Sequence, residues 1–258
     1  MKGLIIKDFM CLRRQQSVMF LYTIIVTIIL SVMFVLSSNH GNISHVMDGL
    51  MADSSFTASD VEHVVVDEII VFMLLPFALV LDVSSIILAD NKAGFSKVAA
   101  CLPVTLSQRV LARFMSIGLL SVIGMAIDLI MVILLSVFTD IAGFMTLLGI
   151  MVSLACLMLI LSFLTIMFSF LLGSGKEEYA QLASVFTIIV VVLLFNIKSI
   201  VSIFKSSSPD VTSYIKSLNS VTDFLADKSY VMLIAMMVVC GFCYLGSVKI
   251  AENKRGII

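Results

Sequence analysis

Between positions 141 and 172 the chain carries no charged side chain. Wound as one α-helix at ~1.5 Å per residue, that stretch would be about 48 Å long, more than the ~30 Å hydrocarbon core of a bilayer. A soluble domain has too little interior to cover such a rod, whereas lipid covers it without cost. Comparable runs occupy 18–36, 69–88, 114–138, 180–204 and 229–248. Composition agrees, with 60% hydrophobic and 13% charged residues and a mean hydropathy of +1.17. In lipid every backbone polar group must be satisfied within the protein, and runs of this length do so as helices. The expectation is an all-α polytopic membrane protein with six transmembrane helices in a single domain, 1–258. The first run is too long for a signal-peptide core and lacks a small-x-small cleavage site, so it is read as span one. The 141–172 run must tilt, break near Gly149 or project beyond the membrane.

Charge sets the orientation. Segment 37–68 has no Lys or Arg but holds Asp48, Asp53, Asp60, Glu62, Asp67 and Glu68, which places it outside. Interval 89–113 carries Lys92, Lys97, Arg109 and Arg113 and is therefore cytoplasmic, as are both termini. Of the sixteen Lys and Arg, only Lys198, Lys205, Lys216 and Lys228 fall on or near the outer side. Segment 1–16 reads either as a basic amphipathic helix lying in the interface or as a charged leader before span one. Apolar residues at helical spacing, Ile43, Val46, Met47 and Leu50 in one outer loop and Val211, Tyr214, Ile215 and Leu218 in the other, predict surface helices within 37–68 and 205–228.

Several kinds of chemistry are excluded. A net charge of -1 and a pI near 6.3 provide no footprint for nucleic acid. Cys11 and Cys101 lie on the reducing side, and Cys240-Gly-Phe-Cys243 is a lone pair of thiols in mid-span, so neither a disulfide framework nor a zinc site is expected. His40, His45 and His63 share one loop at spacings that fit no zinc signature. Gly173-Ser174-Gly175-Lys176 looks like part of a phosphate-binding loop, but Phe170 stands where its first glycine belongs and Glu177 where Ser or Thr must follow the lysine. No HExxH and no GxSxG occurs, so the chain is not expected to be an enzyme, to bind a metal or to hold a cofactor of its own.

Three residues inside the spans stand apart. Pro76 lacks an N–H and should kink the second span. Asp82, in the same span, lies either near the cytoplasmic boundary or on a pathway. Asp128 sits near the middle of the third span, where a carboxylate costs roughly 2.5–3.5 kcal/mol on insertion scales. An interhelix hydrogen bond, a proton relay and a polar contact along a translocation path all remain open for it.

Asp90, Gly94 and Lys97, followed by Leu102-Pro103-Val104-Thr105, Arg109 and Arg113, resemble the loop after the second span in small bacterial ABC-2 permeases. Lys7-Asp8-Phe9 before a basic pair and the basic tail after span six are similar to that family as well. The likeness covers nearly the whole chain in layout and about thirty residues in sequence; Leu106 stands where the family commonly has a basic residue. The resemblance implies a type V exporter-like permease: two six-span subunits, a homodimer by preference, forming the pathway in the bacterial cytoplasmic membrane. ATP and Mg would be handled by separate ABC ATPase subunits. Asp90, Lys92, Gly94, Lys97, Leu102, Pro103, Val104, Arg109 and Arg113 would form the coupling contact, with Lys176, Glu177 and Glu178 as a second, smaller one. On physical grounds alone, proline's fixed φ makes Leu102-Pro103-Val104 a rigid corner.

Seventeen Met and eighteen Phe suit a wall that repacks around greasy cargo and suit lipid-facing packing equally. Likeness to Gram-positive members, including exporters of phenol-soluble modulins, favours amphipathic peptides or other hydrophobic substrates. The alternative from a different class is a proton-coupled carrier or passive channel using Asp128 and Asp82, with Pro76 on the pathway.

Overall fold

A computed structural model describes residues 6, 21–29, 32–33, 36, 69–77, 105–138, 143–173, 176–195 and 224–255. Among the described residues every regular element is helical. Four long helices dominate: α1 (Leu106–Phe138), α2 (Phe144–Leu172), α3 (Glu177–Phe195) and α4 (Ser229–Arg255). Three stretches, Leu106–Val137, Phe144–Leu172 and Ser229–Asn253, are long and apolar enough to cross a bilayer, and Glu178–Val191 is a shorter apolar helix. The molecule is a helical membrane protein. The proposed helix at 1–16, the surface helices of 37–68 and 205–223 and the remaining parts of the first, second and fifth expected spans lie outside the described residues.

The start of α1 is set locally. Thr105 N–H donates to Gln108 Oε1 at 3.2 Å, and Gln108 N–H donates to Thr105 Oγ1 at 3.4 Å. This reciprocal capping box satisfies donors that the first helical turn leaves free. The helix therefore begins eight residues earlier than the hydrophobic run at 114–138, and Arg109 and Arg113, expected in a loop, lie on α1 itself. At 33 residues it is about 50 Å long. Among its buried positions, Val110, Phe114, Ile117, Ser121, Gly124, Asp128, Met131 and Leu135 follow one another in steps of four and three, with Ala112, Ser116, Leu120, Ile127 and Val132 also buried. That is the seam of a coiled-coil-like contact, repeated along the whole helix.

α2 occupies the centre, with buried residues around its circumference from Leu147 to Ser169. It is continuous through Gly149, so of the three options for this run, tilt, break or projection, the break is not the one taken. The glycine serves a contact instead: the carbonyl of Ala226 lies where a Cβ would stand, and Ser153 Oγ donates to Leu225 O at 2.6 Å. α2 ends at Gly173, whose φ of 86° and ψ of -178° suit a residue without a Cβ. Its N–H closes on Ser169 O at 3.0 Å.

The helices alternate in direction. α1 and α2 form an antiparallel hairpin across 139–143, and α3 returns beside α2, held by a buried Thr165 Oγ1 to Ser184 Oγ hydrogen bond of 2.8 Å. α4 runs with α2, since Leu225 and Ala226 meet Ser153 and Gly149 while Gly246 faces Met167. Phe114 joins three of them, stacked on Phe163 at 4.9 Å and edge-on to Tyr244 at 6.0 Å. α4 does not stop at Lys249, where the apolar run ends; it continues to Arg255. Hydrocarbon thickness limits the apolar stretch, not the helix, whose backbone bonds are as well made in water.

Two shorter segments pack on this frame. In 69–77, Ile69, Met73 and Phe77 are buried one turn apart. Helix 69–73 opens into a turn at 74–77, where Leu75 N–H reaches back three residues to Phe72 O at 3.2 Å. Pro76 accounts for this opening, having no N–H to continue the ladder. In 21–29, Thr23 and Thr27 are buried while Leu21, Tyr22, Ile25, Ile28 and Ile29 are exposed, the arrangement expected when the surroundings are lipid.

Candidate functional site

Two places gather the polar groups. The first is the charged end of the bundle. Arg109 and Arg113 lie on the opening turns of α1, Lys176 between α2 and α3, Glu177 and Glu178 on the first turn of α3, and Lys249 and Glu252 on the closing turns of α4. Lys176 caps α3 by accepting from Ala180 N–H at 3.1 Å. The Arg113 guanidinium stands 5.6 Å from the centroid of Phe170, a cation–π contact worth about 0.5–1 kcal/mol where exposed and more where desolvated. It ties the start of α1 to the end of α2. Of the residues expected to form a coupling contact, the structure brings Arg109, Arg113, Lys176, Glu177 and Glu178 to this one end. Asp90, Lys92, Gly94, Lys97, Leu102, Pro103 and Val104 lie outside the described residues.

The second place is the middle of the α1 seam. Asp128 is 0% exposed, and neither carboxylate oxygen has a hydrogen-bond partner. Ser121 Oγ, two turns earlier on the same stripe, is likewise buried and without a partner. Between them, Gly124 is met by the Pro76 carbonyl and the Phe77 ring, at 3.3 and 3.2 Å from where a Cβ would be. Pro76 thus meets α1 at Gly124, one turn before Asp128. Asp82 lies outside the described residues. Among those described, no three His, Cys, Asp or Glu side chains converge on a metal-sized site, and Cys156, Cys240 and Cys243 are free thiols.

Hydroxyls elsewhere are used for packing. Ser116, Ser162 and Thr165 each donate to the carbonyl four residues back, and Ser169 to the one three back. Such bonds let Ser and Thr lie inside a membrane bundle at little cost.

Sequence reading missed Phe170, Gly124 and Ser121, and treated Gly149 as a weak point. Thr105 and Gln108 are a Thr-x-x-Gln pattern, a local signal for the start of α1. No local pattern points to Phe170, because its partner arrives from a helix that runs the other way. No family model matches the chain, and neither the curated proteins nor the solved structures contain a match to it.

Proposed function

We propose that this chain is the permease subunit of an ATP-driven exporter of the ABC-2 kind. Six spans, with both termini cytoplasmic, would line a pathway as a dimer in the bacterial cytoplasmic membrane, and amphipathic peptides or other hydrophobic molecules would be its cargo. Separate ABC ATPase subunits would bind ATP and Mg and press on 89–113 and on Lys176, Glu177 and Glu178.

The observation that carries this reading is the mechanical continuity of α1. Directly after Leu102-Pro103-Val104, which proline's fixed φ is expected to stiffen, comes a capped helix about 50 Å long, whose Arg113 is held to Phe170 on α2. A displacement applied at Thr105 would reach the central helix along one continuous helix. The clustering of Arg109, Arg113, Lys176 and Lys249 at one end supports a single face for a soluble partner.

The test is reconstitution of the chain with an ABC ATPase that co-purifies with it. Pro103→Gly should leave ATP hydrolysis intact and lower transport per ATP about tenfold, a coupling loss of ~1.4 kcal/mol. Nucleotide-independent cargo movement by the purified chain would overturn the reading. It would instead favour the proton-coupled carrier using Asp128 and Asp82, which the unpaired Asp128 carboxylate supports.

A further inference from the structure

We propose that Asp128 is a proton-binding site, a carboxyl held as the neutral acid while 69–77 is packed on α1 and freed to ionise only when that contact opens. The inference is independent of what powers transport.

The first ground is that, among the described residues, nothing is placed to balance a negative charge. Asp128 occupies a seam position of α1, fully buried, with both oxygens unpaired. Segment 69–77 brings no titratable side chain to it. Segment 21–29 has only the exposed Tyr22, and between Phe144 and Leu172 α2 has only the Cys156 thiol. Asp227, Lys228 and Tyr230 stand near the depth of Asp128, since Ala226 meets Gly149, but all three are exposed, and the Lys228 ammonium lies 5.8 Å from the centroid of the Phe224 ring. Farther along α4 come Cys240, Cys243 and Tyr244, and Tyr244 meets α1 at Phe114, about 21 Å along the helix from Asp128. α3 carries Glu177, Glu178 and Tyr179, all at its charged end. The cations of α1 itself, Arg113 and Arg109, lie about 22 and 28 Å back along the same axis. An ionised carboxylate without a counter-ion or donors is far costlier in such a place than a neutral acid.

The second ground is the broken helix beside it. At Pro76 the backbone leaves the helical ladder, and the Pro76 carbonyl is brought against Gly124, one turn from Asp128. A methyl at 124 would stand 3.2–3.4 Å from the Phe77 ring and the Pro76 carbonyl, so both would have to yield slightly to admit it. Irregular backbone at membrane depth is tolerated where it is buried in protein or lines a polar space. Ser121 Oγ, Asp128 and this carbonyl form a polar strip about 10 Å long inside an otherwise apolar seam. The reaction is simple: the carboxylate takes one proton from water to become the acid and returns it when water reaches the strip. Access is controlled by the fit of Pro76 and Phe77 over Gly124.

Infrared difference spectroscopy on the full chain in lipid nanodiscs, with isotope-labelled aspartate, tests this. At neutral pH the wild-type protein should show the carbonyl stretch of a neutral carboxylic acid, lost in the near-isosteric Asp128→Asn variant and kept in Asp82→Asn. Gly124→Ala should keep the band but make its exchange with heavy water several-fold faster, because the added methyl lifts 69–77. A wild-type spectrum showing only carboxylate, or an acid band that survives Asp128→Asn, would overturn the assignment. Unchanged exchange in Gly124→Ala would remove the control by Pro76 and Phe77. If Asp128→Asn does not fold, Asp128→Glu decides: with labelled aspartate its acid band should lose the isotope shift, and a band that keeps the shift would overturn the assignment.

Discussion

α2 and α4 run in the same direction, touch over much of their length and are both apolar enough to cross a membrane, yet they stand in opposite surroundings. In the most apolar part of α2, 61% of residues are buried in the protein, against 11% in α4. Hydrophobicity does not separate them, because lipid tails are as apolar as leucine and do not drive helices together. Small and hydroxyl residues do. Gly149, Ser153, Ala155, Ser162, Thr165 and Ser169 are buried on α2, where they allow close backbone approach and exchange hydrogen bonds. α4 instead presents Tyr230, Ile234, Met237, Val238, Phe242 and Leu245 outward. On α2 the buried faces mix these small residues with large ones such as Leu147, Ile150 and Phe163, and hydrophobicity alone does not tell the two helices apart.

The largest expected contrast is between two phenylalanines. Phe163→Ala on α2 removes the ring stacked on Phe114 and should destabilise the protein by about 3–5 kcal/mol. Phe242→Ala, 70% exposed on α4, should stay within ~0.5 kcal/mol. Unfolding in mixed micelles reads both, and equal losses would break the distinction between the helices.

A glycine series sharpens it. Gly149→Ala sets a methyl against the Ala226 carbonyl, which is backbone and cannot swing aside; a loss of about 1–3 kcal/mol is expected. Gly246→Ala meets only the Met167 thioether at 3.3 Å, a side chain that can adjust, and should lose less than ~1 kcal/mol. Gly241→Ala has nothing within 4 Å and should gain about 0.5–1 kcal/mol from helix propensity. The same unfolding assay should return that order. The smallest effect belongs to Thr165→Val, which removes the hydroxyl bonded to Ser184 and should lower stability by about 0.6 kcal/mol, the mean for interhelix hydrogen bonds in membranes.

The sequence made the membrane class and the extents of the central helices legible. Apolar runs at 141–172 and 229–248 overlie α2 and most of α4, because a helix in lipid must be apolar over the full thickness it crosses. Charge misled at the ends. Arg109, Arg113 and Lys249 mark where hydrocarbon stops, and all three lie within helices that continue past that limit. The burial of Asp128 was anticipated from its place in the third span, but its lack of a partner depends on what 69–77 and α2 bring to that depth. Only the packed arrangement supplies that information. Gly149 carries the same lesson: a glycine in a helix looks like a weakness until the chain that approaches it is known.

The Ser153 bond to Leu225 spans 72 residues of sequence, and it bears on the order in which the molecule is assembled. When α2 emerges from the ribosome, the segment that will fill its Gly149–Ser153 notch has not yet been made. α4 therefore has a berth prepared before its own synthesis, next to the backbone contact formed just ahead of it. Insertion of α4 can copy its position from a neighbour already in place.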